Sequence, residues 1–382
     1  MLLLFAVAWA ALVRVEEGEG VRPVFVLAAA LAALVLARAD GFAMALVFGF
    51  YAGVVAWRRG RIGTFALPAG AVALTLAAHV AWRLSMYGYP LPNSVYAKVS
   101  GALADRLAFA WKIFPELYPA LPALFLLAVL APGAWAAAAR ARTNDPALFR
   151  FVPPFEVGFP IAWLAYWFFV GGDVFRERFL LVLIPLAAAL LARRGRELVS
   201  GSFRRVDAVA LLFVLLLLVP FHATDLVWPR TTQDRFIELG RFLGAERPGA
   251  LLAADAAGKV PYYSELETID MYGLADETIA HVKAKFGVPG HSKSDPAYVL
   301  ARRPDLVAGW LDPGTQTVNP GLGRRAWTRA GYRLAWLVYT PKGNHPKDLG
   351  PEPLVDARKL DAQEVRELWR RDYRYAILEQ KR

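Results

Sequence analysis

The chain has 382 residues and a formal net charge of +11, with 57% hydrophobic and 20% charged residues. Soluble domains carry about 45 to 50% apolar and about 25% charged residues, so this composition excludes a single ordinary soluble domain. The absence of cysteine excludes a disulfide scaffold, a thiolate zinc site, an iron–sulfur centre and a cysteine nucleophile. The five histidines do not have metal-ligand spacing, so we predict neither a metal site nor a cofactor.

The long uncharged runs lie almost entirely before residue 222, whereas the remainder has the charge and turn residues of a soluble domain. This division predicts a polytopic α-helical membrane bundle of about seven crossings, followed by a small α/β soluble domain. The expected parts are a transmembrane helical domain over 1–222, a periplasmic α/β domain over 223–342, and a linker with a charged C-terminal helix over 343–382.

Seven apolar runs supply these predicted crossings, because a hydrocarbon core of about 30 Å needs about 17 to 25 helical residues. The runs cover residues 24–37, 42–57, 62–84, 117–139, 155–171, 179–192 and 206–221. The opening run, 1–13, is too short for a comfortable crossing. Successive crossings alternate between the two sides of the membrane, and a crossing over 1–13 would have to begin on the extracytoplasmic side. This favours either a chain that lacks its natural beginning or a first segment that lies in the membrane interface.

Loop charges predict the orientation of these crossings. The loops over 58–61, 140–150 and 193–205 are rich in arginine, and cytoplasmic loops collect such residues. The intervening loops and everything after residue 222 are then extracytoplasmic, in a multi-pass protein of the inner (plasma) membrane. Since topogenic arginine explains much of the positive charge, we predict no nucleic-acid partner.

Two far-side loops carry candidate site residues. In the first, after a predicted crossing, two prolines and a glycine argue against helix and present Asn93, Tyr96 and Lys98 on a turn at the membrane surface. The apolar spacing over 103–114 predicts an interfacial helix behind that turn. The alternative is an aromatic belt with a polar turn that only anchors the bundle.

The second far-side loop, residues 171–178, lies between two predicted crossings. Its Asp173 could accept a proton, and Arg176 or Arg178 could bind a phosphate through two hydrogen bonds. A charged hairpin whose ions stay hydrated is the alternative. Asp40, in the short loop 38–41, is a weaker candidate of the same kind, for which a structural explanation is at least as good.

The C-terminal part alternates helix and strand patterns. A helix is predicted over 234–245 and strands over 250–254, 268–270, 306–308 and 332–339. Polar side chains follow the predicted strands, and ligands of open α/β sheets bind at strand ends. These candidates are Asp255, Asp270, Asp276 and His291, although a lone histidine in a glycine-rich turn is more often a surface residue.

Several motifs, in this order, resemble a known family. They are Leu91-Pro92-Asn93 with Tyr96 and Lys98, Gly171-Gly172-Asp173 leading to Arg178-Phe179-Leu180-Leu181, Asp255-x-x-Gly258 followed by Pro261-Tyr262-Tyr263-Ser264, and residues 269–276 with the later Gly290-His291. Together they are similar to the polytopic GT-C glycosyltransferases, in particular the terminal arabinofuranosyltransferase-like branch.

The resemblance implies an enzyme that moves a sugar from a polyprenyl-phosphate donor to a cell-envelope glycan or lipid acceptor, with membrane lipid around it. Asp173 and Asp40 are then the candidate catalytic carboxylates. The implied substrate-binding residues are Arg176, Arg178, Asn93, Tyr96, Lys98, Asp255, Tyr262, Asp270 and His291. The family's principal acid usually lies in the first periplasmic loop, which we expect to be missing from this chain. A lipid-linked sugar transporter or flippase and a catalytically inactive truncated homologue remain the alternatives.

Overall fold

In the computed structural model, the chain divides into two compact units. The helical unit comprises residues 1–92 and 103–226, and the α/β unit comprises residues 93–102 and 227–382. The structure describes residues 1–116, 124, 127, 133, 152–173, 179–189, 235–255, 258–284, 287–340 and 354–381.

The described part of the helical unit is built from apolar helices joined by short turns. They are α1 (Leu2–Glu17), α2 (Arg22–Ala37), α3 (Gly41–Arg58), α4 (Ala66–Tyr87, entered through a 3-10 turn over Ile62–Phe65), α6 (Leu103–Ile113) and α7 (Phe155–Val170), followed by the segment Leu180–Ala189. Helix α6 confirms the helix predicted from the spacing over 103–114.

Aromatic side chains form the core of this unit. Phe5 of α1 lies 5.4 Å from Phe48 of α3 and 4.9 Å from Phe159 of α7, measured between ring centroids, and all three rings are fully buried. Much of the apolar surface of these helices is therefore covered by other helices of the same unit.

The prediction of a bundle with about seven crossings is wrong. Among the described residues, two helices, Gly41–Arg58 and Ile62–Tyr87, are long and apolar enough to cross a membrane. Helices α2 and α7 have 16 residues each, which at 1.5 Å per residue span about 24 Å of an approximately 30 Å core. The runs predicted over 117–139 and 206–221, and the end of the run over 179–192, lie outside the described residues.

The α/β unit contains a seven-stranded mixed sheet. Its strands are β1 (Leu252–Ala254), β2 (Thr268–Asp270), β3 (Leu306–Asp312), β4 (Thr317–Val318), β5 (Tyr332–Tyr339), β6 (Leu354–Asp356) and β7 (Tyr373–Gln380). The strand order is β2-β1-β3-β7-β5-β6, with β4 paired to β3. Strands β2, β1 and β3 are parallel, and β7 pairs antiparallel with both β3 and β5.

Short helices connect and cover these strands. They are α5 (Asn93–Lys98), α8 (Arg235–Glu246), α9 (Lys259–Ser264), α10 (Glu277–Ala280), α11 (Pro296–Ala301), α12 (Arg324–Arg329) and α13 (Ala362–Arg370). Successive residues of β1 face opposite sides of the sheet, so Leu252 and Ala254 pack under Leu239 and Leu243 of α8, while Ala253 belongs to the core on the other side.

Several predicted elements are confirmed and one is corrected. The helix predicted over 234–245 is α8, and the strands predicted over 268–270 and 332–339 are β2 and β5 with the same bounds. The prediction of a linker with a charged C-terminal helix over 343–382 is wrong for its described part, 354–381, because β7 lies in the middle of the sheet between β3 and β5. The charged helix exists as α13, but it connects two strands of the domain.

Candidate functional site

The parallel part of the sheet reverses its strand order at β1. The chain leaves β1 for β2 on one side and then crosses to β3 on the other side. Such a reversal of strand order is a topological switch point, where open α/β sheets bind their ligands. Asp255 directly follows β1 and Asp270 is the last residue of β2, so both lie at this switch-point edge.

Asp255 joins three strands at the switch-point edge. Its backbone N–H donates to the Ala308 carbonyl of β3 at 3.1 Å, and its Oδ2 accepts the backbone N–H of Trp310 at 3.2 Å. Its Oδ1 accepts the hydroxyl of Tyr375 from β7 at 2.6 Å. The residue is only 6% exposed, so this carboxyl group is held in a fixed position below the edge.

Burial raises the pKa of Asp255 to about 6, although the hydrogen bonds from Tyr375 and Trp310 favour the charged form. The negative charge of nearby Asp270 raises the pKa of Asp255 further. Burial together with the Asp255 charge raises the pKa of Tyr272 to about 12 and that of Tyr375 well above its usual value. The edge therefore holds a carboxyl group with a raised pKa that accepts a hydrogen bond from the neutral phenol of Tyr375.

Asp270 has a different role from Asp255. Its Oδ1 accepts the backbone N–H of Tyr272 at 3.0 Å and its Oδ2 accepts that of Ala275 at 2.7 Å. The carboxylate thus closes the turn after β2, in which Gly273 has a φ of +76° and lies against the backbone of α10. Asp270 positions Tyr272 at the edge.

The Asp276 carboxylate also accepts hydrogen bonds from neighbouring residues of the chain. Its Oδ1 accepts the Ile279 N–H at 3.0 Å as the N-cap of α10, and its Oδ2 accepts the Tyr298 hydroxyl at 3.1 Å. This carboxylate fixes the start of α10, as expected for an aspartate at an N-cap position.

His291 is exposed and lies beside the turn that Asp270 closes. The rings of His291 and Tyr272 are 4.8 Å apart in an edge-to-face arrangement. A Cβ atom at Gly290 would lie 3.5 Å from Cγ of Lys98, so Lys98 packs against the same loop. The structure thus brings Asp255, Tyr272, His291 and Lys98 to one region of the α/β unit.

Residues 93–98 do not form the surface turn that we predicted. They form α5, since both prolines precede its first residue, Asn93, and a proline before a helix removes no hydrogen bond within it. The segment belongs to the α/β unit, where the ring of Tyr96 contacts that of His281 with centroids 4.4 Å apart and planes tilted by 42°. Tyr262 lies on α9, is 76% exposed and contacts the ring of Tyr263.

The candidate carboxylates of the helical unit are both buried. Asp40 lies in the turn between α2 and α3, where its Oδ1 accepts the Arg38 Nε–H at 2.8 Å and Arg38 lies over the Phe179 ring. Its Oδ2 is buried and has no hydrogen-bond partner within the described part of the chain. Asp173 follows two glycines with positive φ at the end of α7. Arg176 and Arg178 lie outside the described residues.

Sequence reasoning missed two aromatic residues of the switch-point edge, Trp310 and Tyr375. They come from β3 and β7, which lie 55 and 120 residues after Asp255. A bulky aromatic residue at the end of a predicted buried strand was the only local signal for Trp310. Among the described residues, no group of three or more His, Asp or Glu side chains could hold a metal ion.

Residues 227–377 match the model of a domain of unknown function, DUF8728. The match covers less than half of the chain but includes β1 to β6 and the first five residues of β7, together with Asp255, Trp310 and Tyr375. No curated protein and no solved structure matches the chain. The part of the chain that resembles this family is therefore the α/β unit that carries the switch-point edge.

Proposed function

We propose that this chain is a membrane glycosyltransferase, which moves a sugar from a polyprenyl-phosphate donor to a cell-envelope glycan or lipid acceptor. The observation that carries this proposal is Asp255, a buried carboxyl group with a pKa of about 6 at the switch-point edge. Transfer of a sugar to a hydroxyl group uses a carboxylate that can take a proton near the working pH. In this proposal the edge binds the acceptor, with His291 and Lys98 beside it and Tyr262 nearby on α9.

The helical unit, considered by itself, carries the residues that we propose to bind the polyprenyl-phosphate donor. Helix α4 with its leading turn runs over 26 residues, and only 6% of the residues in its most apolar 18-residue stretch are buried, which suits a surface that contacts lipid chains. Asp40 and Asp173 are the proposed carboxylates at the donor, and Arg176 and Arg178 are the proposed phosphate ligands. A lipid-linked substrate would reach these groups from the bilayer.

We further propose that the α/β unit lies outside the cytoplasm. Arg58 ends the first candidate membrane span and Arg59 and Arg61 fall between the two spans, and short arginine-rich loops stay on the cytoplasmic side. The second span ends at Tyr87, so the residues that follow are on the opposite side of the membrane. Those residues include α5, which belongs to the α/β unit. The whole α/β unit would then face the periplasm or cell exterior.

A transfer assay tests the proposed activity. The full chain in lipid nanodiscs would be given a radiolabelled polyprenyl-phosphate sugar and envelope glycans, and labelled glycan would be measured. Asp255→Asn is nearly isosteric and should lower transfer at least about tenfold, because it removes the group that can accept a proton. The exposed Asp356 on β6 is the matched control, and Asp356→Asn should keep the parental rate.

Three results would contradict the proposal. The first is the absence of transfer with any envelope acceptor, and the second is a parental rate in Asp255→Asn. The third is movement of labelled donor across a vesicle membrane without its consumption, which would favour the transporter interpretation.

The orientation is tested separately, with a reporter that is active only outside the cytoplasm. Fused after Arg382 it should be active, and inserted after Gly60 it should be silent; the reverse pattern would refute the proposed orientation.

A further inference from the structure

Trp310 is the most exposed large apolar side chain of the central strands. It is 41% exposed on β3, whereas the four preceding residues of that strand, 306–309, are buried. A single exposed apolar residue needs no functional explanation on its own. The surroundings of this ring, however, combine fixed aromatic contacts with a carboxyl group.

Two neighbouring aromatic rings fix the orientation of the Trp310 indole. Tyr375 is its direct partner on β7, and the two ring centroids are 5.5 Å apart at an interplanar angle of 88°. Phe236 of α8 lies 6.3 Å from Trp310 and 5.2 Å from Tyr375, again with nearly perpendicular planes. Edge-to-face contacts of this kind are favourable, so the indole is held rigidly while part of it stays in contact with solvent.

Two of these three residues, Trp310 and Tyr375, also contact the Asp255 carboxyl group. The Trp310 backbone N–H and the Tyr375 hydroxyl donate to its two oxygens, at 3.2 and 2.6 Å. Asp270 and Asp276 lie close enough to add negative charge to this region. An anionic ligand such as a nucleotide is disfavoured here, because its phosphates would be repelled by the carboxylates.

We infer that Trp310 is a stacking platform for one sugar ring of a neutral glycan. A sugar ring has an apolar face of C–H groups, which packs on an indole face, and hydroxyl groups around its rim that donate hydrogen bonds to carboxylates. The partly exposed Trp310 indole offers the apolar partner. The Asp255 carboxylate, which is 6% exposed and accepts one hydrogen bond at each oxygen, keeps a further lone pair on each. This inference rests on the proposed function only for its assignment of the glycan as the sugar acceptor.

Saturation-transfer NMR tests the platform on the full chain in lipid nanodiscs. The probes are arabinose, mannose and glucose tetrasaccharides, and the open-chain alditol sorbitol is the ligand control. We expect saturation of the C–H protons on one face of a sugar ring, and none for sorbitol, which has hydroxyl groups but no ring face. One face of the ring should dominate because the rigid indole presents a single surface.

Variants of Trp310 make the test quantitative. Trp310→Leu keeps an apolar side chain but removes the aromatic face, and it should weaken binding about tenfold, which corresponds to about 1.4 kcal/mol. Trp310→Phe should lie between the parent and the leucine variant. Trp111, 71% exposed on α6 of the helical unit, is the matched control, and Trp111→Leu should bind like the parent.

Equal binding of tetrasaccharide by the parent and both Trp310 variants would overturn the inference, as would equal saturation of sorbitol or no saturation of any probe. If amide hydrogen exchange shows that the leucine variant has lost protection in β3 and β7, its weaker binding reflects misfolding. The binding of the phenylalanine variant and the ring face saturated in the parent then test the inference. Trp310-dependent binding without transfer from a polyprenyl donor would refute only the proposed activity. Transfer at the parental rate in Trp310→Leu would refute only the platform.

Discussion

Asp255 makes the α/β unit sensitive to pH, because its environment changes on unfolding. In the folded chain its carboxyl group is buried and has a pKa of about 6, whereas the ordinary value is 3.8. Between these two pH values the folded state holds a proton that the unfolded state has lost. The free energy of unfolding contributed by this group is therefore fully present below about pH 4 and declines as the pH rises towards 6.

We predict that the α/β unit loses up to about 3 kcal/mol of stability between pH 4 and pH 7 through Asp255. The raised pKa of Asp270 acts in the same direction. Urea unfolding followed by near-ultraviolet circular dichroism at several pH values measures the effect. Asp255→Asn should flatten the profile, and the exposed Asp356→Asn should leave it unchanged in this range. A profile of Asp255→Asn identical to the parental one would contradict the assignment.

At the residue scale, the sequence indicated which polar side chains lie at strand ends but not which hydrogen bonds they make. Asp255, Asp270 and His291 were found because they follow apolar strand patterns. The sequence did not show that both oxygens of Asp270 accept backbone N–H groups, since a turn-closing carboxylate and a ligand-binding one have the same local pattern. Trp310 escaped prediction because its neighbour Tyr375 is far away in the chain.

At the element scale, β7 shows why the C-terminal residues were misinterpreted. The strand follows α13, whose alternating acidic and basic residues suggest a solvated helix. Yet β7 pairs over most of its length with β3 and β5, and Tyr375, Ala376, Ile377 and Leu378 are fully buried. Strand pairing between distant segments has no local signature, so the hydrophobic pattern alone did not locate this strand in the sheet.

Removal of residues 342–382 should unfold the α/β unit, because it exposes the edges of both β3 and β5 and empties part of two cores. Limited proteolysis of the full-length and shortened chains measures this, and we expect rapid cleavage throughout 235–340 only in the shortened chain. Deletion of residues 381–382, which follow β7, is the control and should have little effect. A protease-resistant shortened chain would show that β7 is dispensable.

The contact between α8 and α9 gives a second prediction at this scale. A Cβ atom at Gly244 would lie 2.5 Å from the Ser264 carbonyl oxygen, so Gly244→Ala must push the two helices apart. We expect a loss of about 1 to 3 kcal/mol in unfolding free energy, measured by urea titration. Gly323→Ala is the control, because its added Cβ meets no atom closer than 3.9 Å. Equal stability of the two variants would mean that the helices can separate without cost.

At the scale of the whole molecule, hydropathy overestimated the membrane-spanning content. Apolar runs of about 16 residues satisfy a hydropathy search whether lipid or protein covers them. In α1, α2 and α7 much of that surface packs inside the helical unit, as the burial of Phe5, Leu31 and Phe159 shows. The distinction depends on tertiary contacts, so composition could identify an apolar half of the chain but not count its crossings.

Helix α4 should be the segment most sensitive to a charge. Leu74 lies near its middle and is 73% exposed, so Leu74→Arg should cost about 2.5 to 3.5 kcal/mol of membrane insertion. Resistance to alkaline carbonate extraction measures the loss. Leu3 on α1 is 75% exposed and belongs to a helix that is not a candidate span, so Leu3→Arg is the matched control and should remain in the membrane fraction. Equal extraction of both variants would argue against α4 as a span.

The membership of residues 93–102 in the α/β unit has a consequence for biosynthesis. This domain is discontinuous in sequence, since its first segment is separated from the rest by residues 103–226 of the helical unit. On the ribosome, α5 emerges long before α10, which is followed directly by His281, the ring partner of Tyr96. Completion of the domain must wait for β7 at the other end of the chain. A fragment that begins at residue 227 would lack this piece, so expression of the domain calls for α5 to be supplied or grafted.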